Sequence, residues 1–243
     1  MNELHLHIDG SLRKETLQEW IPELDVPSFG FRKGMKLEDC LACFSVTAGV
    51  INTPERVQRV VKEICEDQKS CGVNRTELRF APHIHGPSAT EMVQGAIRGL
   101  DRDSSLILCG LYGFHPDKIE ELVEIAKKSP RVVGIDIAGG PKPTDKYGLH
   151  HYVDAFIEAK KCGIGRTVHV GEGRGPQEIV DAIKLLNAQR LGHACSLLEC
   201  DTAMSLAKER SIVIEACPTS NVHTGIYESP SHHPIKKWIA NHI

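Results

Sequence analysis

Residues 166–194, RTVHVGEGRGPQEIVDAIKLLNAQRLGHA, contain the pattern that decides the fold class. Two short apolar runs, Arg166–Val170 and Arg190–Ala194, flank a segment in which apolar residues recur at helical spacing. Pro176 stands at the start of that segment, and proline is favoured in the first turn of a helix. A strand, a helix and a second strand in this order predict a βαβ unit with parallel strands.

The same alternation extends over the whole chain. Five further strand candidates lack strict polar–apolar alternation, as expected for parallel strands covered by helices; they are Glu3–Ile8, Arg75–Ala81, Leu106–Gly110, Val132–Ala138 and Ile212–Cys217. Helical patterns occupy residues 37–46, 54–72, 116–129, 152–163, 176–189 and 200–210. Seven strands fit either a doubly wound sheet or most of a (β/α)₈ barrel, and composition does not distinguish the two.

Length and charge limit the function classes. The chain has 243 residues, and we expect residues 1–243 to form a single domain. The formal net charge of −3 argues against a nucleic-acid partner. Because no apolar run approaches the length of a membrane span and the N-terminus is polar, we expect neither a membrane partner nor a signal peptide.

Nine cysteines at irregular spacing indicate a reducing compartment, so we expect a cytoplasmic protein. Cys40 and Cys43 form a C-x-x-C pair within a helical pattern, with no second pair of metal ligands nearby. Packing as small apolar residues is therefore favoured over a redox or zinc role.

Histidines collect at the C-terminal ends of the predicted strands, where both candidate folds bind ligands. His5 and His7 alternate along the first strand and share one of its faces. The end of the fifth strand carries His169, with Glu172 just beyond it, and the end of the sixth strand carries His193. Neutral imidazoles suit Zn²⁺, and a neighbouring carboxylic acid can protonate a substrate, so these residue types predict metal-assisted hydrolysis.

Two other groups need separate treatment. Asp136 and Gly139 end the fourth strand, so they belong to the same end of the predicted sheet as the four histidines, which we call the mouth. His83 and His85 repeat the H-x-H spacing, but they follow a proline in a loop context. We interpret them as surface histidines or as supports for other groups rather than as ligands.

Six stretches together resemble the signature blocks of the adenosine deaminase family, within the metal-dependent amidohydrolases: ELHLHIDGSLRKETL, TELRFAPHIH, GIDIAGG, RTVHVGEG, RLGHACSLLE and IEACPTSNVHTGIY. The match runs from about residue 2 to the last residue. It implies a TIM-type (β/α)₈ barrel with one Zn²⁺ per chain. It also implies hydrolytic deamination of adenosine and 2′-deoxyadenosine to inosine and 2′-deoxyinosine plus ammonia.

The resemblance also implies roles for single residues. His5, His7 and His169 would be the zinc ligands. Glu172 would donate a proton toward N1 of the purine, and His193 would orient the attacking water and help to deprotonate it.

Substrate contacts are implied in the same way. Besides its metal role, His7 belongs to the substrate-binding set. Gly139 would offer its backbone N–H to a ring nitrogen, and Asp9 would accept a hydrogen bond from the ribose 5′-hydroxyl. Adenine-specific relatives tend to carry Glu where Asp9 stands, which favours a nucleoside substrate. The alternative is that Asp9 caps the helix that begins near Lys14.

One departure from the family pattern concerns the last strand. The family continues into an eighth strand that ends in an Asn-Thr-Asp-Asp-Pro-like block, whose first Asp is a further zinc ligand. Residues 236–243, KKWIANHI, do not supply it, so we expect a barrel without its eighth strand and C-terminal helices. Three explanations are open: a longer protein, a second chain that completes the barrel, or substitution by another part of this chain.

Two functional alternatives remain open. One is a protein that keeps the fold without turnover, and the other is a deaminase of adenine or of a modified adenine nucleotide. A base-flipping zinc deaminase is poorly supported, because its H-x-E…P-C-x-x-C signature is missing. We therefore expect a small-molecule purine nucleoside as the binding partner.

Overall fold

The computed structural model describes residues 1–26 and 29–243. Seven parallel strands lie side by side in chain order, and all seven predicted strands are among them. They are β1 (Asn2–His7), β2 (Arg75–Phe80), β3 (Ser104–Leu111), β4 (Val132–Ala138), β5 (Gly165–Val170), β6 (Arg190–His193) and β7 (Val213–Glu215).

Helices connect the strands, and each predicted helical segment contains an observed helix. They are α1 (Lys14–Trp20), α2 (Leu37–Val50), α3 (Pro54–Ser70), α4 (Ala89–Gly99), α5 (Pro116–Lys127), α6 (Val153–Lys161), α7 (Gln177–Lys184), α8 (Asp201–Glu209), α9 (Pro218–His223) and α10 (Ile235–Ala240). Local chemistry sets several of their starts. In α3, Pro54 occupies the first turn and the Thr53 side chain accepts the N–H of Arg56 at 3.3 Å.

Two strand bounds differ from the prediction by two residues, and the others agree to within one residue. β3 begins two residues early, at Ser104, because that residue pairs with Thr76 of β2. β7 ends at Glu215, and Pro218 begins α9 soon afterwards. Backbone pairing and helix initiation therefore outweigh the apolar pattern at these two places.

The sheet curls into a nearly closed TIM-type barrel that has seven of the eight strands. Side chains connect its first strand to its later strands. The guanidinium groups of Arg79 in β2 and Arg190 in β6 both donate to the carbonyl oxygen of Leu4 in β1, at 2.7 and 3.0 Å. Across the described residues, neither β1 nor β7 has a hydrogen-bonded strand on its outer side.

The main apolar core joins residues of the strands to residues of the surrounding helices. Leu78 and Leu108 of the sheet are fully buried, as are Ile119 of α5, Phe156 of α6 and Ile179 of α7. Among the described residues, no helix combines the length and the apolar character that a membrane crossing requires. Because the apolar core lies between the strands and the surrounding helices, the C-terminal ends of the strands can carry polar side chains.

Candidate metal centre and substrate pocket

Four histidines from three strands meet at one end of the barrel. His5 and His7 come from β1, His169 from β5 and His193 from β6. The ring centroid of His5 lies 5.3 Å from that of His7, 4.5 Å from that of His169 and 5.1 Å from that of His193. The barrel thus brings together every histidine that the sequence placed at the mouth.

Acidic partners orient two of these rings. Nδ1 of His5 lies 2.7 Å from Oε2 of Glu215, and Nδ1 of His169 lies 2.9 Å from Oδ2 of Asp136. In both contacts the imidazole N–H donates to the carboxylate, which leaves Nε2 without a proton. Such outer partners are typical of metal-binding histidines, because they fix the tautomer and the direction of the ring.

His193 is held differently. The side-chain amide of Asn221 donates to its Nδ1 at 2.9 Å, while the amide oxygen lies 3.3 Å from Nε2 of His233. Because Nδ1 of His193 accepts, the proton of the neutral ring is on Nε2, which lies 3.4 Å from a carboxylate oxygen of Glu172. The ring therefore presents a proton-carrying nitrogen to Glu172.

The distances between ring nitrogens bear on metal binding. Nε2 of His7 lies 3.1 Å from Nε2 of His169. Two nitrogens bound tetrahedrally to one zinc ion at about 2.0–2.1 Å are about 3.3 Å apart, close to that spacing. The ligand atoms of His5, His169 and His193 also all lie within 4.8 Å of one another. The three-histidine group that meets this distance is therefore His5, His169 and His193, and His7 adjoins it through its contact with His169.

Burial keeps the rings of His5, His7 and His193 uncharged. It lowers the pKa of His7 to about 3, with a further contribution from His169, and it lowers the pKa of His193 to about 4 despite the nearby Glu172. The pKa of His5 is also well below its ordinary value, again mainly because of burial. Neutral imidazole is the form that binds metals, so the unshared pairs are available at neutral pH.

A buried arginine joins the two acidic partners. Arg79 donates from Nη1 to Oδ2 of Asp136 at 2.8 Å and from Nη2 to Oε2 of Glu215 at 2.6 Å. All three side chains are inaccessible to solvent. Burial opposes ionisation of Asp136, but His169 and Arg79 outweigh it and hold the pKa of that carboxyl well below its usual range.

Sequence reasoning missed Arg79, Glu215 and Asn221 as parts of the site. Glu215 ends an apolar run, and a charged residue inside a buried strand is a usable signal for a paired group. Arg79 lies in the more polar strand β2, where that signal is absent. Asn221 lies in α9, just after β7, and its fully buried amide contacts His193.

Backbone conformation also shapes the centre. His193 and Ala194 have φ angles of 63° and 49°, in the left-handed region that residues with a side chain rarely adopt. Such strain is typical of functional sites. A Cβ atom on Gly192 would lie 3.0 Å from Cε1 of His5, so glycine at this point makes room for the neighbouring ring.

A two-lobed cavity opens beside the histidines. The first lobe, about 240 Å³, is lined by His7, Asp9 and Gly139 among others. The second, about 210 Å³, is lined by His7, Gly139 and Glu172 among others. The shared residues show that the lobes adjoin, and together they approach the size of a small-molecule site.

Asp9 and Gly139, which the resemblance assigns to substrate binding, both line the first lobe of the cavity. Asp9 is buried and does not cap α1, which begins after Arg13 without a side-chain cap. Gly139 has a φ of 76°, and its carbonyl oxygen lies 3.4 Å from Nη1 of Arg174. The pair Cys40 and Cys43 occupies α2, with both thiols free.

The model of the family described as adenosine deaminase matches residues 1–243. The chain belongs to the adenosine deaminase family. An adenosine deaminase of Clostridium botulinum (strain Langeland) is 31% identical over 272 residues, which cover 99% of this chain and 78% of the relative. Membership and this similarity make the chain a deaminase of the hydrolase class.

Three solved structures share the fold. Adenine deaminase from Arthrobacter aurescens has a TM-score of 0.86 at 20% identity, covering 98% of this chain and 78% of its own. An amidohydrolase from Burkholderia ambifaria with bound Zn has a TM-score of 0.83 at 20% identity, covering 99% and 72%. N6-methyl-AMP deaminase from Arabidopsis thaliana has a TM-score of 0.81 at 24% identity, covering 98% and 77%. At these identities the likeness establishes the fold alone.

Proposed function

We propose that the chain catalyses the zinc-dependent hydrolytic deamination of adenosine and 2′-deoxyadenosine. The observation that carries the proposal is the convergence of four histidines and Glu172 on one cavity. An imidazole cluster, a buried carboxyl group and an adjoining cavity are the parts that hydrolysis at a heteroaromatic carbon requires.

His5, His7 and His169 would hold the zinc ion. Their donor set fits, because Glu215 and Asp136 hold the Nδ1–H groups of His5 and His169 and so leave Nε2 of those rings for the metal. When bound, zinc supplies a Lewis acid that lowers the pKa of a water molecule to about 7. The Zn in the Burkholderia ambifaria amidohydrolase supports this choice of metal.

Glu172 and His193 would handle the protons. In the overall reaction water adds at C6 of the purine, the bond from C6 to the amino nitrogen breaks, and ammonia leaves. Glu172 would protonate ring nitrogen N1, which makes C6 electrophilic, and His193 would orient the attacking water by donating its Nε2–H to it. Their contact of 3.4 Å lets the two groups act on neighbouring atoms of one ligand.

The substrate's ring and sugar would occupy the lobe that contains Gly139 and Asp9. The Gly139 N–H would donate to a ring nitrogen, and Asp9 would accept from the 5′-hydroxyl. Of the described residues lining the two lobes, Lys142 is the only lysine or arginine, and the Asp9 carboxylate opposes an anionic ligand. This balance favours an uncharged nucleoside over a nucleotide, although a structural neighbour is named for N6-methyl-AMP.

Absorbance during incubation with adenosine tests the proposal, because inosine absorbs differently. The zinc-loaded chain is expected to convert adenosine and 2′-deoxyadenosine well and adenine and AMP poorly. Glu172→Gln is expected to reduce turnover by about 10²- to 10⁴-fold while zinc remains bound. Glu209→Gln, on the exposed face of α8, is the matched control and should behave as wild type.

Each other outcome points to a different protein. Faster conversion of adenine or AMP than of adenosine would favour one of the alternative substrates. No turnover of any of them with zinc bound would mean that the chain keeps the fold without catalysis.

A further inference from the structure

We propose that His85 is a positioning residue for Asp9, and that the two side chains together set the preference for a ligand with a free 5′-hydroxyl. The inference rests on the proposed function, because the hydroxyl belongs to the nucleoside that we propose as substrate.

Contacts on two sides fix the imidazole of His85, whose side chain is fully buried. Its Nδ1 lies 3.1 Å from the carbonyl oxygen of Ile51. A carbonyl only accepts, so Nδ1 carries a proton and donates. The ring of Phe80 packs against it with centroids 5.5 Å apart. With Nδ1 committed to Ile51, only Nε2 remains to interact with Asp9.

The contact between His85 and Asp9 is incomplete. Nε2 of His85 lies 3.7 Å from Oδ2 of Asp9, which is longer than a hydrogen bond. Nε2 of His85 and Oδ1 of Asp9 are both buried without a hydrogen-bond partner anywhere in residues 1–26 and 29–243. Buried polar atoms almost always have partners, and Asp9 lines the first lobe, so its unpaired oxygen indicates a site that a ligand completes.

The chemistry of the pair selects a hydroxyl. Asp9 lines the first lobe of the cavity, and its carboxylate accepts hydrogen bonds but donates none. A ligand O–H can donate to it, whereas a phosphate in the same place would bring two negative groups together. The rigid ring of His85 limits the directions that the carboxylate can take, and so keeps it ready to accept that hydroxyl.

The test compares adenosine with 5′-deoxyadenosine, which lacks the hydroxyl, using the full zinc-loaded chain. His85→Asn retains a donor for Ile51 but has no atom at the position of Nε2. His85→Gln places an amide near that position. His83→Asn is the matched control, because His83 lies on the same turn and contacts Glu121 at the surface instead.

Wild type is expected to prefer adenosine in kcat/KM by about 10- to 150-fold, the range for a hydrogen bond to a charged group. His85→Asn should lose about tenfold of that preference, as displaced groups do in positioned sites, while kcat for 5′-deoxyadenosine stays unchanged. His85→Gln should keep most of the preference, and His83→Asn all of it. Calorimetric affinities for inosine and 5′-deoxyinosine should follow the same order without turnover.

A purely structural role for His85 would lower activity on both nucleosides equally and leave the preference intact; that result overturns the inference. So does a His85→Gln variant that is as impaired as His85→Asn. A wild-type chain that neither binds nor converts either nucleoside refutes the proposed function and this inference with it. The two failures are therefore distinguishable by the behaviour of the wild type.

Discussion

Replacing Glu215 with Gln tests whether the buried charges beneath the histidines hold the site together. The Glu215 carboxylate accepts from four groups: Nδ1 of His5 at 2.7 Å, Nη2 of Arg79 at 2.6 Å, Oγ1 of Thr167 at 3.0 Å and Nε of Arg190 at 2.5 Å. Glutamine keeps the shape of the Glu215 side chain but removes its charge, and the NH₂ group of the amide would face groups that themselves donate hydrogen bonds. The variant therefore leaves a buried arginine with half of its counter-charge.

The magnitude follows from burial. Arg79 and Glu215 are inaccessible to solvent, and breaking a buried ion pair by removing one partner costs about 3–5 kcal/mol. That cost is a large share of the roughly 5–15 kcal/mol by which domains are usually stable. Since Glu215 also orients His5, zinc affinity should fall by about 10- to 100-fold.

Glu77→Gln is the control for this prediction. Glu77 pairs with Arg190 as Glu215 does, but the two side chains are 23% and 21% exposed. Its loss should cost about 1 kcal/mol or less. Urea denaturation gives the free energy of unfolding of both variants, and competition with a chelator gives their zinc affinities. Equal, small losses for the two variants would refute the argument that burial makes the Glu215 pair expensive to break.

Three further predictions concern packing, pH and the rim of the pocket. Phe156→Ala should lower the free energy of unfolding by about 3–5 kcal/mol because the ring is fully buried. Ile157→Ala, at a position 37% exposed, should lower it much less, and denaturation curves of the two variants measure the difference. Because the folded-state pKa values of His7 and His193, about 3 and about 4, lie below the ordinary 6.5, the unfolded chain binds protons that the folded chain does not. Below about pH 6.5 the metal-free protein should therefore lose about 1.4 kcal/mol of stability per pH unit for each ring, and a flat profile between pH 6.5 and 5 would contradict this. Arg174→Met removes the guanidinium group that donates to the carbonyl oxygens of His169 at 3.1 Å and Gly139 at 3.4 Å. It should lower kcat/KM for adenosine about tenfold with an unchanged melting temperature. An unchanged kcat/KM would exclude a role for Arg174 at the rim of the pocket.

The strands and the mouth histidines were predictable because each depends on local signals. Apolar runs separated by amphipathic segments identify βαβ units, and parallel strands bring their C-terminal ends to one side. His169 and His193 lie at the C-terminal ends of the neighbouring strands β5 and β6, so their convergence follows from the strand order alone. No contact between distant residues has to be known for that inference.

The supporting groups were not predictable for the opposite reason. Glu215 meets His5 only because the sheet curls until β7 approaches β1, and sequence periodicity carries no measure of that curvature. His83 and His85 have the same spacing as His5 and His7, yet one contacts the surface residue Glu121 and the other is fully buried. His83 and His85 are only two residues apart, so their different burial depends on which other elements pack against each ring, and sequence spacing does not reveal that.

The contact between His5 and Glu215 spans 210 residues of sequence, and this has a consequence for synthesis on the ribosome. At about 5–20 residues per second, the N-terminal strand leaves the ribosome roughly 10–40 s before its acidic partner is made. During that interval the first strand can pair with β2, but neither His5 nor the guanidinium of Arg79 yet has Glu215 as its partner. The centre is therefore incomplete until Glu215 has been translated, although all four of its histidines are made earlier.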